Sequence, residues 1–140
     1  DLHSFPTRRS SDLHIDQEDL SIFSADQCVD PADPDSGGRA LEGFCRPFAR
    51  RVQGQIRRMQ FDRARRSFHL EYDADPTIGA PTEIYVPRLQ FPGGIEPHVE
   101  GGAADLHHDG CAQVLTVQAR SAARLTVVVA ARREELGRLR

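Results

Sequence analysis

The stretch "RSFHLEYD", residues 66–73, alternates polar and apolar side chains without a break. Phe68, Leu70 and Tyr72 fall on one face, and Ser67, His69 and Glu71 on the other. That period of two belongs to a β-strand, whose successive side chains point to opposite sides. A helix would scatter the same residues around its axis. The pattern recurs in "AQVLTVQARSAARLTVVVAA", a hairpin with Leu115, Val117 and Ala119, then Leu125, Val127 and Val129, on its apolar face. "QIRRMQFD" puts Met59 and Phe61 on one side, and Asp62 to Arg65 supply a short hairpin turn before the next strand. "PTEIYVP" is a strand bracketed by Pro81 and Pro87. Proline cannot donate into a ladder, so an edge or strand-end position is expected. "IEPHVEGG" is a weaker strand. Short alternating strands at this spacing predict a mainly β fold, an antiparallel β-sandwich.

The N-terminal side reads differently. Residues 14–38, "HIDQEDLSIFSADQCVDPADPDSGG", are rich in Asp, Pro, Ser and Gly, which is loop chemistry, with a short turn or strand at Asp19 to Phe23. In "GRALEGFCRPFARR", Ala40, Leu41, Phe44, Cys45 and Phe48 recur at helical spacing. A helix is expected from about Gly38 to Cys45, ended by Pro47, with Cys45 buried as a small hydrophobe. The tail "RREELGRLR" reads as a short polar helix or disorder.

Residues 1–13, "DLHSFPTRRSSDL", resist a biological reading. They hold no apolar stretch or small-residue cleavage pattern of a signal peptide, and Asp1 and Asp12 argue against a transit peptide. Back-translated in a single frame, they resemble a common short-read sequencing adapter. The expectation is that the natural sequence begins at His14.

Composition narrows the function classes. A net charge of −3 on 140 residues gives no global argument for nucleic acid or membrane. All 18 basic residues are arginine, a bias that GC-rich coding explains. The longest apolar run, Leu125 to Ala131, is interrupted by Thr126 and is too short to span a bilayer. Cys28, Cys45 and Cys111 are odd in number and far apart, so no disulfide framework is implied. A reducing, cytoplasmic compartment is slightly favoured.

From Gly37 onward the segments "GGRALEGFCRPFARRVQG", "FHLEYDAD", "APTEIYVPRLQFPGGIEPHVEGG" and "LTVQA…LTVVVA" resemble the C-terminal part of glycoside hydrolase family 5 enzymes. The subgroup is the one related to endoglycoceramidases and fungal steryl-glucosidases. "PTEIYVP" followed by "FPGG" is the most specific element. "EDLSIFS" resembles the loop after the last barrel strand, and "GGRALEGFCRP" the final barrel helix. The resemblance implies a remnant of a (β/α)8 barrel over about residues 14–51, a β-sandwich over 52–130 and a polar tail over 131–140. It also implies a parent enzyme that hydrolyses a β-glucosidic bond in a glycosphingolipid or steryl glucoside, with retention and without metal or cofactor.

Retention needs two carboxyls about 5–5.5 Å apart. In the family these are glutamates on earlier barrel strands, and no Glu here maps onto either role. Catalytic residues are therefore expected to be absent from this chain. Asp16, Glu18 and Asp19 are the substrate-loop candidates, because the resemblance puts them near a barrel mouth. The implied partners are the missing catalytic barrel and the glycolipid substrate of the parent enzyme. Nucleic acid is not expected, and membrane-surface contact is weak at most.

Three other clusters invite chemistry. In "DLHHDGC", residues 105–111, His107, His108, Asp109 and Cys111 are zinc-capable types. Adjacent histidines on a strand diverge, however, and no second ligand pair follows, so a polar loop between strands is the expectation. Residues 46–66 hold eight arginines and one acid, Asp62. A phosphate or headgroup patch and a solvated, aggregation-resistant edge explain them alike. Glu96 and Glu100 would share a strand face some 13 Å apart, too far for retention. Cys28 and Cys111 could be free thiols, but no paired base is readable.

Two readings compete with the fragment reading. An autonomous carbohydrate- or lipid-headgroup-binding sandwich normally needs exposed aromatics, and this chain has no Trp and only Tyr72 and Tyr85. A purely structural domain would bind nothing and expose an apolar patch where the barrel belongs.

Overall fold

The alternation at residues 67–73 is realised in full. In the computed structural model, which describes residues 22–33 and 35–132, Ser67–Ala74 form strand β3 and bury Phe68, Leu70 and Tyr72 completely. The other strands are β1 (Phe48–Arg51), β2 (Gly54–Asp62), β4 (Thr82–Tyr85), β5 (Ile95–Glu100), β6 (Ala104–Asp109), β7 (Val114–Ala119) and β8 (Arg124–Ala131). They make two antiparallel sheets, sheet A in the order β1-β4-β7-β6 and sheet B in the order β2-β3-β8-β5. The result is the expected sandwich.

The core lies between them. Sheet B contributes Phe68, Leu70, Tyr72, Leu125, Val127 and Val129, all fully buried. Sheet A answers with Ile84, Leu115, Val117 and Ala119. Each large apolar side chain contributes about 1.5–3 kcal/mol on burial. A one-residue slip would turn a whole strand's set outward, so the pattern itself pins the register. The Tyr72 hydroxyl lies beside that of Thr82 without hydrogen-bonding geometry, and burial raises its pKa.

Four polar residues are buried among the described residues, Ser24, Gln53, Thr82 and Gln90, and Gln53 does the most bonding. Gln53, fully buried, sits where the chain crosses from β1 to β2. Its Oε1 accepts from the Ala119 N–H at 2.8 Å, and its Nε2 donates to the Ile78 carbonyl at 2.9 Å. Its own N–H donates to Thr82 Oγ1 at 2.9 Å, and its carbonyl accepts from the Asp75 N–H at 3.0 Å. One side chain thus ties the crossover to β7 and to the loop before β4.

Several elements differ from expectation. Of the two positions expected for "PTEIYVP", the strand-end one holds and the edge one does not: β4 lies between β1 and β7. Its prolines fall just outside Thr82–Tyr85, so no ladder donor is missed. The edge position belongs to β1, which follows the expected helix stop at Pro47 and shows no strand alternation of its own. "DLHHDGC" is not a loop, because Ala104–Asp109 pair with β7 along their whole length. As an edge strand exposed from Asp105 on, β6 carries no alternation to read. β5, the weak strand, is the edge of sheet B and tolerates Pro97 there.

The chain divides into two units, Asp1–Phe44 and Cys45–Arg140. In the first, the helix expected over Gly38 to Cys45 shrinks to one turn, α1 (Leu41–Phe44). Gly38 bridges Phe23 instead, and Ala40 has a positive φ of 52°. Gly43 weakens the turn further. No residue of α1 is buried, and Phe44 is 61% exposed. Cys45, expected to be buried, is only partly so. A 3-10 turn, Ala25–Gln27, and the Ser36 hydroxyl, which accepts from the Val29 and Asp30 N–H groups, organise the acidic loop. The adapter-like residues 1–13, Asp19 to Ser21 of the expected turn or strand, and the tail beyond Arg132 lie outside the described residues.

Candidate functional site

The two flanks of the sandwich differ in chemistry. β1 and β2 are the outer strands of their sheets on one flank, joined through Val52 and Gln53. The Ala49 N–H donates to Met59 Sδ at 3.4 Å across that edge. A bulge lies between Ile56 and Arg58, so Ile56 pairs with Tyr72 while Met59 pairs with Leu70. The extra residue brings Ile56 and Met59, three apart, onto the core-facing side. Ile56 is nevertheless 46% exposed and Met59 47%. On the neighbouring edge Phe48 is 45% exposed and stacks on Tyr85 with ring centroids 5.6 Å apart. This flank is open, and sets three exposed apolar side chains among Arg50, Arg51, Arg57 and Arg58.

The opposite flank, β5 and β6, is polar. Glu96, His98 and Glu100 on β5 are exposed, as are Asp105, His107, His108 and Asp109 on β6. His98 Nε2 lies 3.4 Å from Glu100, and Arg120 pairs with Asp105. Charges and a proline on an edge discourage strand-to-strand pairing.

The arginines of 46–66 meet acids that lie far along the sequence. Arg51 pairs with Glu83. Arg57 and Arg124 both bind Asp73, with Nε–Oδ distances of 2.7 Å. Hydrogen bonds from Arg124 and then Arg57 hold the Asp73 carboxyl down at about 2. Three of the eight arginines of the patch, Arg51, Arg57 and Arg65, thus have acid partners, which favours the solvated-edge reading for those three.

A polar groove crosses the outer face of sheet B, with a volume of about 290 Å³. Register explains its lining. Arg58, Glu71 and Thr126 stand in one row across β2, β3 and β8, and Gln60 and His69 in the next. Asp62 and Ser67 close one end, where the Asp62 carboxylate accepts the Arg65 N–H at 3.0 Å. Arg58 donates to Gln60 at 2.5 Å, and Ser67 Oγ lies 3.0 Å from His69 Nε2. None of these residues was singled out as a ligand-binding set in the sequence. They come from three strands, and only the ladder brings them together.

The remaining candidates resolve individually. Asp109 Oδ1 accepts the N–H groups of Cys111 and Ala112 at 2.9 Å, capping the β6–β7 turn. Those bonds, from Ala112 first, lower its pKa. His107 and His108 face opposite sides of β6. Among the described residues no three His, Cys, Asp or Glu side chains converge on a common point. Glu96 and Glu100 share the outer face of β5, four residues apart. All three cysteines are free, with Cys111 exposed. Asp16, Glu18 and Asp19 lie outside the described residues. No helix among the described residues is long and apolar enough to cross a membrane.

An antiparallel sandwich with large apolar side chains left exposed on an open edge is the form of a domain that adjoins another. The chain belongs to the glycoside hydrolase family 5 C-terminal domain family, whose profile matches residues 46–129. Endo-glycoceramidase II from Rhodococcus sp., solved as a ganglioside GM3 complex, is 34% identical and superposes with a TM-score of 0.56 over 71% of this chain. Its lactosyl-enzyme intermediate superposes with a TM-score of 0.55 at the same identity. The chain spans 22% of that enzyme's length. Sterylglucosidase 1 from Cryptococcus neoformans shares the fold at 21% identity, with a TM-score of 0.61, covering 81% of this chain and 18% of that one. No curated protein matches the chain.

Proposed function

We propose that this chain is the non-catalytic C-terminal sandwich of a retaining β-glycosidase acting on glycolipids, and that its β1–β2 flank packs against the catalytic barrel. The observation that carries the docking is the exposure of three large apolar side chains, Phe48, Ile56 and Met59, on the β1–β2 flank, against Leu106 at 38% on the β5–β6 flank. Ile56 and Met59 already point toward the core side, and a covering partner would complete their burial. Edge strands left open with apolar side chains are a pairing hazard unless something covers them. The opposite flank carries its own protection.

The match to the family and the 34% identity to a glycoceramidase support a glycosphingolipid or related glycolipid as the parent's substrate. Within the described residues the acid pair of sheet B, Glu96 and Glu100, stands too far apart for a retaining mechanism. Acid/base and nucleophile belong to the barrel in this reading. By the same reading residues 14–51 come from the barrel's last segment, with Asp16, Glu18 and Asp19 as substrate-loop candidates, and residues 1–13 come from adapter sequence.

An activity assay checks the assignment of chemistry. The 140-residue chain, incubated with lactosylceramide or a fluorogenic β-glucoside, should release no product above the buffer rate. The same chain fused behind a family 5 barrel that carries both glutamates should sit in an active enzyme. Turnover by the chain alone would refute the non-catalytic assignment.

A further inference from the structure

We propose that the groove on the outer face of sheet B is a binding site for a neutral oligosaccharide. The groove shares β2 with the docking flank but uses the outward side chains of that strand, whereas Ile56 and Met59 point to its core side.

Charge comes first. Two guanidiniums, Arg58 and Arg65, face two carboxylates, Asp62 and Glu71, around the groove. The sum is zero with His69 neutral. A phosphate or sulfate ligand would call for surplus positive charge and a cation for surplus negative charge. A neutral ligand fits the balance.

Hydrogen-bonding capacity comes second. Arg58 Nη2 bonds Gln60 Oε1, which leaves the Gln60 amide nitrogen and the other Arg58 donors facing the groove. Glu71 Oε1 forms a long ion pair with Arg124 Nε at 3.7 Å, beyond hydrogen-bond length, so its oxygens can still accept hydrogen bonds from a ligand. His69 and Ser67 add a pair whose donor and acceptor roles can exchange. Donors and acceptors thus alternate across neighbouring strands about 4.8 Å apart. Sugar hydroxyls each donate and accept, and adjacent hydroxyls can address one carboxylate or one guanidinium together.

Shape comes third. Thr126, short and in register with Glu71, makes a low floor between taller side chains. The volume lies near the lower limit of about 300 Å³ for small-molecule sites, enough for about one or two sugar rings. No aromatic residue lines the groove. Without a stacking platform, affinity should be modest, with Kd on the order of 1 mM.

The test is a 1H–15N NMR titration of the full chain with cellobiose and with lactose, against glycerol and inorganic phosphate. Saturable shifts confined to Ser67, His69, Glu71 and Thr126, from at least one disaccharide and not from glycerol, are expected. Glu71→Ala and Arg58→Ala should each weaken binding about tenfold while the Leu70 and Val127 amides stay in place. Both altered side chains lie on the outer face, so the core is untouched. No saturable shift up to 50-fold above the expected Kd would overturn the proposal. So would phosphate as the only ligand that saturates, or equal binding by both variants.

Discussion

Gln53→Leu should destabilise the sandwich by about 2–5 kcal/mol, because it strands main-chain groups that have no other partner. β4 pairs with β7 only from Thr82–Val117 to Tyr85–Val114. Ala119, two residues beyond, has no residue of β4 opposite it, and Gln53 Oε1 takes the place of that missing strand. Ala119 is 3% exposed, so water cannot readily replace the lost acceptor. Leucine matches the volume but offers neither the Oε1 acceptor nor the Nε2 donor to Ile78. Thermal unfolding should shift down by about 10–30 °C, at roughly 4–8 °C per kcal/mol for a domain of this size. Thr82→Val removes only the hydroxyl that accepts the Gln53 N–H and should cost less. A loss below about 1 kcal/mol for Gln53→Leu, measured by urea unfolding, would show that the side chain merely fills space.

Gly54→Ala should be comparably damaging, by about 2–5 kcal/mol, from backbone strain and overpacking together. Gly54 opens β2 with a φ of 142°, where only glycine is comfortable. An added Cβ would stand 2.0 Å from the Asp73 carbonyl oxygen and 3.1 Å from the Ala74 Cα. Both are backbone atoms of β3 and cannot swing aside. The start of β2 would lift away from β3, and the Arg57–Asp73 pair would loosen with it. Gly79→Ala is the matched control: nothing lies within 4 Å of its Cβ position, and its effect should stay within about 0.5 kcal/mol. Equal stability of the two variants would contradict the close-approach account.

What could be read in the sequence follows from burial. β3, β7 and β8 lie inside their sheets, bury one face fully, and so display the period of two that identified their inward residues. β1 and β6 are edges with little buried on either face, and their sequences hold no such record. Pro81 and Pro87 fit an edge and a strand end alike, and only the pairing with β1 and β7 decides between them. The helix expected over Gly38 to Cys45 had apolar spacing but nothing that buries it, and spacing alone does not hold a helix. The Arg57 bulge, which turns Ile56 inward beside Met59, depends on pairing with Tyr72 and Leu70. Gln53 reads as one more polar residue in an arginine-rich stretch, and its role appears only when β7 arrives 66 residues later. The groove is of the same kind, since Arg58, His69, Glu71 and Thr126 become neighbours through register.

The most direct measurement is hydrogen–deuterium exchange on this chain, alone and mixed with a family 5 barrel produced without its C-terminal domain. Docking through the open flank predicts slowed exchange in Phe48–Arg51 and in residues 55–60, with β5 and β6 unchanged. It also predicts that Met59→Asp abolishes the protection while leaving the core strands as slow as before. Protection of the β5–β6 flank instead, or no protection by the barrel at all, would contradict the account.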